Sequence, residues 1–450
     1  MKIGQLSFGL GVCLLGLTLP LSALDYGVTV ENQSAVVQQL ENAFTQYDKA
    51  AIWVRTDLGS NFRFDGQLSA NLWSYTPHLY ADFDQLSLTG TFTDLPGPRL
   101  LQVRLGRFFY ADPSQRIVAQ NLDGLQLAMS YPWGEFEATA GYTGLINKYY
   151  ADPLMSKDDY ADYLSNTDLF ASPRLISALS VRFPELFLRQ TPELTMITQT
   201  DLRPLFQTLP TEGTSTRVPP GQGGAVDTQY FGAKMSGPLG LENLFYSAAG
   251  YLGTGRLLTW ENVSTAVSLS GTAYVAEPML SGMVDGAVMY FAPQWAHSSL
   301  TLRYVWASGD DTQTSYFEGN TSGTATSFLP INGEPLGLVF APQASNVSAF
   351  EVALTAKPFT DQSGLTKTLE PSMKVLFYSK PNAGPLSVLQ TNATLAAGFL
   401  GTEVDAALNW RPTSDLGLSV QYGFFQAQPN VLTTKYSFWY LGQVLASFSF

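Results

Sequence analysis

The sequence predicts an all-β fold, a transmembrane antiparallel β-barrel of 18 strands, with 16 strands as the alternative. Apolar and polar residues alternate with period two in many segments, which is typical of strands with one apolar and one polar face. Charged residues make up 14% of the 450 residues and aromatic residues 13%. Because a soluble domain carries about 25% charged residues, the composition favours a barrel whose apolar face contacts lipid. A soluble β-sandwich shows the same alternation and is the alternative class.

The first 23 residues are predicted to be a cleaved signal peptide. Lys2 is the only charged residue here, and an apolar run follows it as far as the small-residue exit Leu21-Ser22-Ala23. This order is typical of a secretory signal cleaved between Ala23 and Leu24, with an uncleaved membrane anchor as the alternative. Cys13 is the single cysteine of the sequence. Because cleavage after Ala23 removes Cys13, the mature chain is expected to have no disulfide and no thiolate chemistry.

Residues 24–47 form the next predicted unit, a short helix or plug that precedes the barrel at 48–450. Val36, Val37, Leu40 and Phe44 are spaced as on one face of a helix. Such a segment would lie either inside the barrel or below it.

Period-two alternation places the strands of the barrel. In segment 61–72, the even-numbered positions from Phe62 to Leu72 are apolar or small, and the odd-numbered positions from Asn61 to Asn71 are polar. Barrel strands need about 9–11 residues. The predicted strands are 50–58, 61–72, 79–90, 99–109, 122–132, 134–144, 174–184, 191–202, 227–236, 241–252, 264–276, 283–292, 298–308, 348–358, 370–380, 400–411, 415–425 and 437–450.

Two kinds of connection are predicted between these strands. Segments 132–134 and 411–415 contain Pro and Gly or Pro and Asp, which favour tight hairpin turns. Segments 145–173, 203–226 and 309–347 are long and rich in Gly, Pro, Ser, Thr and Asp. They are expected to be extracellular loops or a constriction folded into the lumen. The acidic residues of these loops are expected to be solvated, namely Asp158, Asp159, Asp162, Asp310 and Asp311.

The last segment, 436–450, carries a resemblance to a known class. Tyr440, Val444, Phe448 and Phe450 lie on one face of the final predicted strand, together with Ala446. This segment resembles the closing strand of Gram-negative outer-membrane β-barrels, whose terminal aromatic and alternating apolar residues are recognised by the barrel-assembly machinery. The resemblance implies a location in the bacterial outer membrane, with outer-membrane lipid and the assembly machinery as partners.

A second, weaker resemblance covers residues 99–144. Arg104-Leu105-Gly106-Arg107 and Asp123-Gly124-Leu125 resemble hairpins of alginate-export-type and other substrate-channel porins with 16 or 18 strands. It covers about a tenth of the chain and identifies no substrate.

These resemblances imply a porin, a channel for diffusion of small polar solutes or ions through a polar lumen. A transporter of hydrophobic substrates with an N-terminal plug is one alternative. A surface adhesin or structural barrel with long loops is another. The net charge of −13 argues against nucleic-acid binding, and cleavage at Ala23, which removes Lys2, would make it −14. An acidic chain predicts a mild preference for cations.

Charged residues set opposite apolar neighbours are the candidates for the lumen wall. Each can tune selectivity or form a salt bridge that only stabilises the barrel. They are Arg55, Asp57, Arg63, Asp65, Arg104, Arg107, Arg303, Glu351, Lys374, Asp405 and Arg411.

No enzymatic activity is predicted. The mature chain has two histidines, His78 and His297, and no G-x-S-x-G motif. No cofactor or metal is expected, because two separated histidines make a poor ligand set. The sequence leaves the solute and the oligomeric state open.

Overall fold

The computed structural model describes residues 24–39, 41–74, 78–93, 95–165, 167–215, 224–265, 268–360 and 364–450. The predicted signal peptide, including Ala23, lies outside the described residues, which begin at Leu24. In the described part of the chain, no helix is both long and apolar enough to cross a membrane.

Eighteen antiparallel strands form one sheet in the described ranges. Each strand pairs with the next along the chain, and β18 pairs with β1, so the sheet closes into a barrel. The predicted fold class and strand count are confirmed. The strands are β1 (Leu24–Gln38), β2 (Asn42–Leu58), β3 (Phe62–Trp73), β4 (His78–Thr93), β5 (Leu100–Ala111), β6 (Ala119–Tyr131), β7 (Gly134–Tyr142), β8 (Arg174–Arg182), β9 (Thr191–Asp201), β10 (Val226–Pro238), β11 (Leu244–Thr265), β12 (Ser268–Ala292), β13 (Ser298–Ala307), β14 (Ser348–Thr355), β15 (Glu370–Lys380), β16 (Gly398–Trp410), β17 (Leu416–Ala427) and β18 (Phe438–Ser449).

The prediction of a helix or plug at 24–47 is wrong. Residues 24–38 form β1, and the rest of the segment turns into β2. The apparent helical spacing spans the turn between these two strands. Because β1 pairs along its length with β2 on one side and β18 on the other, this segment is part of the wall.

The predicted strands 264–276 and 283–292 are also corrected, because they are one strand, β12. Pro278 lies inside it, opposite Arg256 of β11. The pairing of β12 with β13 begins only at Met283. Proline lacks a backbone N–H and is tolerated at such a strand edge. The correct count of 18 therefore combines one missed strand with one strand counted twice.

The two faces of the wall follow the predicted alternation. On β3, Phe62, Leu68 and Leu72 are more than 40% exposed on the outer surface, whereas Ser69 and Asn71 are buried inside. An apolar outer face and a polar inner face are the arrangement of a membrane barrel with a hydrated lumen.

The connections differ between the two ends of the barrel. Segments 59–61, 132–133, 239–243, 293–297 and 411–415 are short turns at one end, called here the short-turn end, where both Leu24 and Phe450 also lie. The other end, the long-loop end, carries segments 143–173, 202–225, 308–347 and 381–397, with helices α1 (Lys157–Leu164) and α2 (Arg203–Phe206). The predicted hairpin turns and long connections are confirmed as far as the described residues extend.

The apolar core lies inside the barrel. Segment 308–347, called here the crossing loop, contributes Phe328, Ile331 and Phe340, each at most 2% exposed. These side chains pack with inward residues of the strands such as Tyr230 and Phe425. Each fully buried side chain of this size stabilises the packing by roughly 1.5–3 kcal/mol. The crossing loop is therefore folded into the lumen.

Candidate functional site

Four of the predicted lumen residues form two ion pairs on neighbouring strands near the short-turn end. Arg55 of β2 lies opposite Asp65 of β3, and Asp57 lies opposite Arg63. Each pair is joined by an Nε–Oδ1 contact of 2.8 Å. Arg55, Arg63 and Asp57 are about half exposed, so these pairs face open space and add little stability.

Arg107 is not a pore-lining residue, because its side chain is fully buried. The guanidinium donates to the backbone oxygens of Asn147 (2.7 Å) and Tyr149 (2.5 Å) in the loop between β7 and β8. It also lies 3.6 Å from Asp82 and 3.7 Å from Asp123. Arg107 therefore holds this loop against the inner wall.

Arg303 belongs to a charged cluster beside the crossing loop. Its Nε donates to Asp285 Oδ1 at 2.7 Å, and the same carboxylate lies 3.3 Å from Arg116 of the loop between β5 and β6. Arg116 in turn donates to the backbone oxygen of Glu334 at 2.9 Å. Burial, together with the Arg303 charge, lowers the pKa of the Arg116 guanidinium. Glu351 lies opposite Arg303 on β14.

Lys374 and Asp405 face each other on β15 and β16, with Nζ and Oδ2 3.4 Å apart. The structure thus brings the predicted residues of these two strands together as an ion pair. Arg411 lies in the turn after β16, where its backbone oxygen accepts a hydrogen bond from Thr368 Oγ1. It therefore belongs to the short-turn end and not to a strand.

Glu403, which the sequence analysis did not select, anchors the crossing loop. Its carboxylate is fully buried and accepts hydrogen bonds from the backbone N–H groups of Leu338 (2.7 Å), Val339 (2.7 Å) and Phe340 (3.0 Å). Tyr378 Oη donates to it at 3.2 Å. Hydrogen bonds to an ionised group are about twice as strong as neutral ones. One side chain therefore ties the loop to β16.

The glycine that precedes these three N–H groups is required by close approach. A Cβ on Gly337 would lie 2.6 Å and 2.7 Å from the two carboxylate oxygens of Glu403. Real Cβ atoms do not come this close to a buried oxygen. Only glycine lets the backbone reach the carboxylate here.

The crossing loop is also attached on the far side of the lumen. Ile331 N–H donates to the backbone oxygen of Ile117, and Leu154 N–H donates to that of Ile331, both at 2.8 Å. Tyr230 Oη of β10 donates to the oxygen of Leu329. The loop therefore runs across the lumen from the β5–β10 side to β15 and β16, and narrows it.

A buried ion network holds the other long loops. Arg174 makes two hydrogen bonds to Asp159, at 2.7 and 2.9 Å, and lies 3.4 Å from Asp201. Arg203 pairs with Asp201 at 2.7 Å and donates to Ser156 Oγ at 2.8 Å. Ser156 and Asp159 also form a capping box at the start of α1. The expectation that the loop acids are solvated is wrong for Asp159 and for Asp310 of the crossing loop, which are 1% and 4% exposed.

Asp152 lies in the same loop and is also buried, at 5% exposure. Burial raises the pKa of its carboxyl to about 7, against the opposing effect of Lys148. This group therefore titrates near neutral pH, while the loop as a whole is fixed by the ion network.

Among the cavities lined by the described residues, two lie in the lumen on the short-turn side of the crossing loop. The first, of about 560 Å³, is lined by the basic residues Arg55, Arg63 and Arg104 and by the acidic residues Asp57 and Asp65. In the described part of the chain, Arg104 has no carboxylate within 4 Å, unlike the other two arginines. Its positive charge is therefore available to a solute.

The second cavity, of about 630 Å³, is lined by strands from the other side of the barrel and by the turn between β14 and β15. Its charged lining residues are Lys357, Lys367, Arg411, Glu31 and Glu370. Lys357 pairs with Glu370 at 3.2 Å. Both cavities thus carry one more basic than acidic side chain.

The predicted assembly residues share the outer face of β18. Val444, Phe448 and Phe450 are 44–66% exposed, and Tyr440 has the same parity on the strand. This arrangement matches the face predicted from the sequence. Their recognition by the assembly machinery stays a prediction.

Three residues that link the crossing loop to the wall were not predicted from the sequence, namely Glu403, Asp285 and Arg116. Glu403 has the same strand parity as Asp405, so period two alone could have identified it as inward-facing. Nothing local in the sequence signals its contact with residues 338–340. In the described ranges, no group of three or more His, Cys, Asp or Glu residues could hold a metal ion.

Comparison with solved structures identifies the fold. No protein-family model matches the chain, and no curated protein matches it in sequence. Pseudomonas aeruginosa OpdL is similar with a TM-score of 0.56 and 11% identity, covering 95% of this chain and 98% of OpdL. OccK2 (OpdF) of the same organism, solved with glucuronate, gives 0.53 and 11%, covering 95% and 97%. The outer membrane protein OpdK of P. aeruginosa gives 0.53 and 11%, covering 95% and 98%. The resemblance to Gram-negative outer-membrane β-barrels is therefore confirmed at the level of the fold.

Proposed function

We propose that this protein is an outer-membrane channel through which small polar solutes and ions diffuse, with no catalytic step. The observation that carries the proposal is the crossing loop, which is tied to both sides of a polar lumen and leaves two charged cavities beyond it. We infer that a loop fixed in this way limits the size of the solutes that pass. Apolar residues outside and charged residues inside suit a wall between lipid and water.

The plugged transporter loses its support, because 24–38 and 42–58 are wall strands. The adhesin alternative requires a closed lumen. The two cavities of about 560 and 630 Å³ favour a conducting barrel over a closed one. Outer-membrane lipid around the barrel and insertion by the assembly machinery through β18 belong to the same proposal.

We propose that this channel weakly prefers anions to cations. The net charge of −13 predicts the opposite. However, charges farther than about 8 Å from a solute are largely screened at physiological salt, so the residues that line the path decide. Both cavities have three basic against two acidic side chains. The complex of OccK2 with glucuronate makes this sugar acid the first solute to test.

Single-channel recording in a planar bilayer tests the proposal. We expect steady conductance from the mature chain and a reversal potential of the anion-selective sign in a KCl gradient. Arg104→Gln should move that potential toward cations. Arg256→Gln is the matched control, because Arg256 is exposed outside the lumen beside Glu212. A folded barrel that never conducts would refute the channel, and a cation-selective reversal potential would refute the charge argument alone.

A further inference from the structure

A third cavity, of about 260 Å³, lies at the long-loop end, above the crossing loop. Four connections line it: the loop with α1 supplies Tyr160, the crossing loop supplies Phe317 and Phe340, the segment 381–397 supplies Gln390, and the β1–β2 turn supplies Gln39. No charged side chain in the described part of the chain lines this cavity. In this respect it differs from both cavities near the short-turn end.

Aromatic rings form a fixed platform in this cavity. The rings of Tyr160 and Phe317 are nearly parallel, at 27°, with centroids 5.5 Å apart. Tyr316 lies edge-on to Phe317 at 4.9 Å. Phe340 is 2% exposed and stacks on Phe425 of β17 with centroids 4.3 Å apart. Tyr316 and Phe340 are nearly fully buried, so they support the half-buried rings of Tyr160 and Phe317. Because Tyr160 and Phe317 are held in place by other rings, they need little reordering when a ligand arrives.

The polar groups of the cavity are uncharged amides and hydroxyls. Gln39 donates to the backbone oxygen of Val339 at 2.9 Å, and Tyr316 Oη donates to Gln343 Oε1 at 3.3 Å. The backbone N–H of Gln343 donates to Ser387 Oγ at 2.8 Å. These bonds orient amide groups beside the ring platform. A site of few placed polar groups on an aromatic surface is typical of small-molecule recognition.

We propose that this outer cavity binds the uncharged ring of a sugar before the solute passes the crossing loop. Aromatic faces carry partial negative charge and attract the C–H face of a pyranose, while amides and hydroxyls are matched to its hydroxyl groups. Cavities for drug-sized ligands begin at about 300 Å³, so this one holds a single ring. The site deepens the proposed function and rests on it: the outer cavity takes the ring, and the basic residues beyond the loop take any carboxylate.

The test uses glucose and glucuronate as probes and the variant Phe317→Ala. Saturation-transfer NMR on the detergent-solubilised mature chain measures sugar binding without any conductance. Loss of one stacking ring should weaken binding of both sugars by roughly 3- to 10-fold. Tyr163→Ala is the matched control, because Tyr163 stacks on Tyr160 at 6.4 Å but does not line the cavity. Gln343→Ala provides a second variant that removes an amide and keeps every ring.

The same proteins are then recorded in bilayers, with each variant's sugar-free conductance as its own reference. Glucose added on the long-loop side should interrupt the current of the unaltered chain more often than glucose added on the short-turn side. The proposal is overturned if glucose does not bind, if only glucuronate binds, or if Phe317→Ala and Tyr163→Ala bind glucose equally. A silent barrel that still binds glucose would refute the channel and leave this site standing. A conducting barrel without glucose binding would refute the site alone.

Discussion

Replacement of Glu403 by glutamine should release residues 338–340 of the crossing loop from the barrel wall. The carboxylate accepts three backbone hydrogen bonds of 2.7–3.0 Å while fully buried. Hydrogen bonds to charged groups contribute about 1.5–3 kcal/mol each. Glutamine keeps one acceptor oxygen and adds an unmatched NH₂ group, so we expect a loss of about 3–4 kcal/mol for loop attachment. At about 1.4 kcal/mol per tenfold change, the detached population rises by two to three orders of magnitude.

Single-channel recording would show this change as larger mean conductance and more frequent fluctuations. Glu351→Gln is the matched control. Glu351 and Glu403 both lie opposite Leu376, on the two strands that flank it, and both carboxylates face inward. In the described ranges, Glu351 makes no side-chain hydrogen bond to the crossing loop. Equal noise in the two variants, or unchanged current in Glu403→Gln, would refute the idea that this carboxylate holds the loop.

Three further outcomes are expected. Gly337→Ala should mimic the Glu403 variant in conductance noise, because the added methyl group collides with the carboxylate; quiet channels would contradict this. Asp159→Asn removes the partner of buried Arg174, which costs about 3–5 kcal/mol, and should make segment 143–173 sensitive to limited proteolysis while the barrel stays folded. Burial raises the pKa of the Asp152 carboxyl to about 7. Between its ordinary pKa of about 4 and this value, the carboxyl is protonated in the folded loop and ionised in the unfolded loop. Loop stability should therefore fall as pH rises from about 4 to 7 and then level off. Hydrogen exchange across that range should show the trend, and Asp152→Asn should abolish it.

The strand faces were predictable because period two is a local property of the chain. On β3 the alternation from Phe62 to Leu72 assigned every side chain to the correct side. Arg55, Asp65, Lys374 and Asp405 were placed on the inner face by the same rule, and the structure pairs them across neighbouring strands. Where the outer face of a strand is apolar and the inner face polar, the sequence is sufficient to assign each side chain to its face.

β1 was missed because its outer face is not uniformly apolar. Asn32 and Ser34 lie on that face between Val30 and Val36. Their polar groups are satisfied by neighbours, with Asn32 Nδ2 donating to Asp48 Oδ1 at 2.6 Å and Ser34 Oγ donating to Asn32 Oδ1 at 3.2 Å. Because these polar side chains bond to one another on the outer face, a rule based on hydrophobicity alone does not identify the strand.

The path of the crossing loop could not be predicted for a different reason. Glu403 and the N–H groups of residues 338–340 are more than 60 positions apart. Arg116 and Asp285 are separated by 169 positions. The sequence indicated that segment 309–347 was a long loop, but its path across the lumen depends on such distant contacts. The local sequence predicts only which side chains of a strand point into the lumen, and not which loop residues they contact.

The junction of the first and last strands sets a condition on how the barrel can form. Val28 N–H donates to the oxygen of Phe450 at 2.8 Å, and Phe450 N–H donates to the oxygen of Val28 at 3.0 Å. Further along the same strand pair, Thr29 and Ser449 are 420 positions apart. Until β18 has been made and has paired with β1, both edges of the sheet are unpaired and open to aggregation. Closure is the contact of longest range in a topology that already folds slowly. A chain shortened by even a few residues at its carboxyl end would keep nearly all of its strands and still lack part of the seam that makes them a barrel.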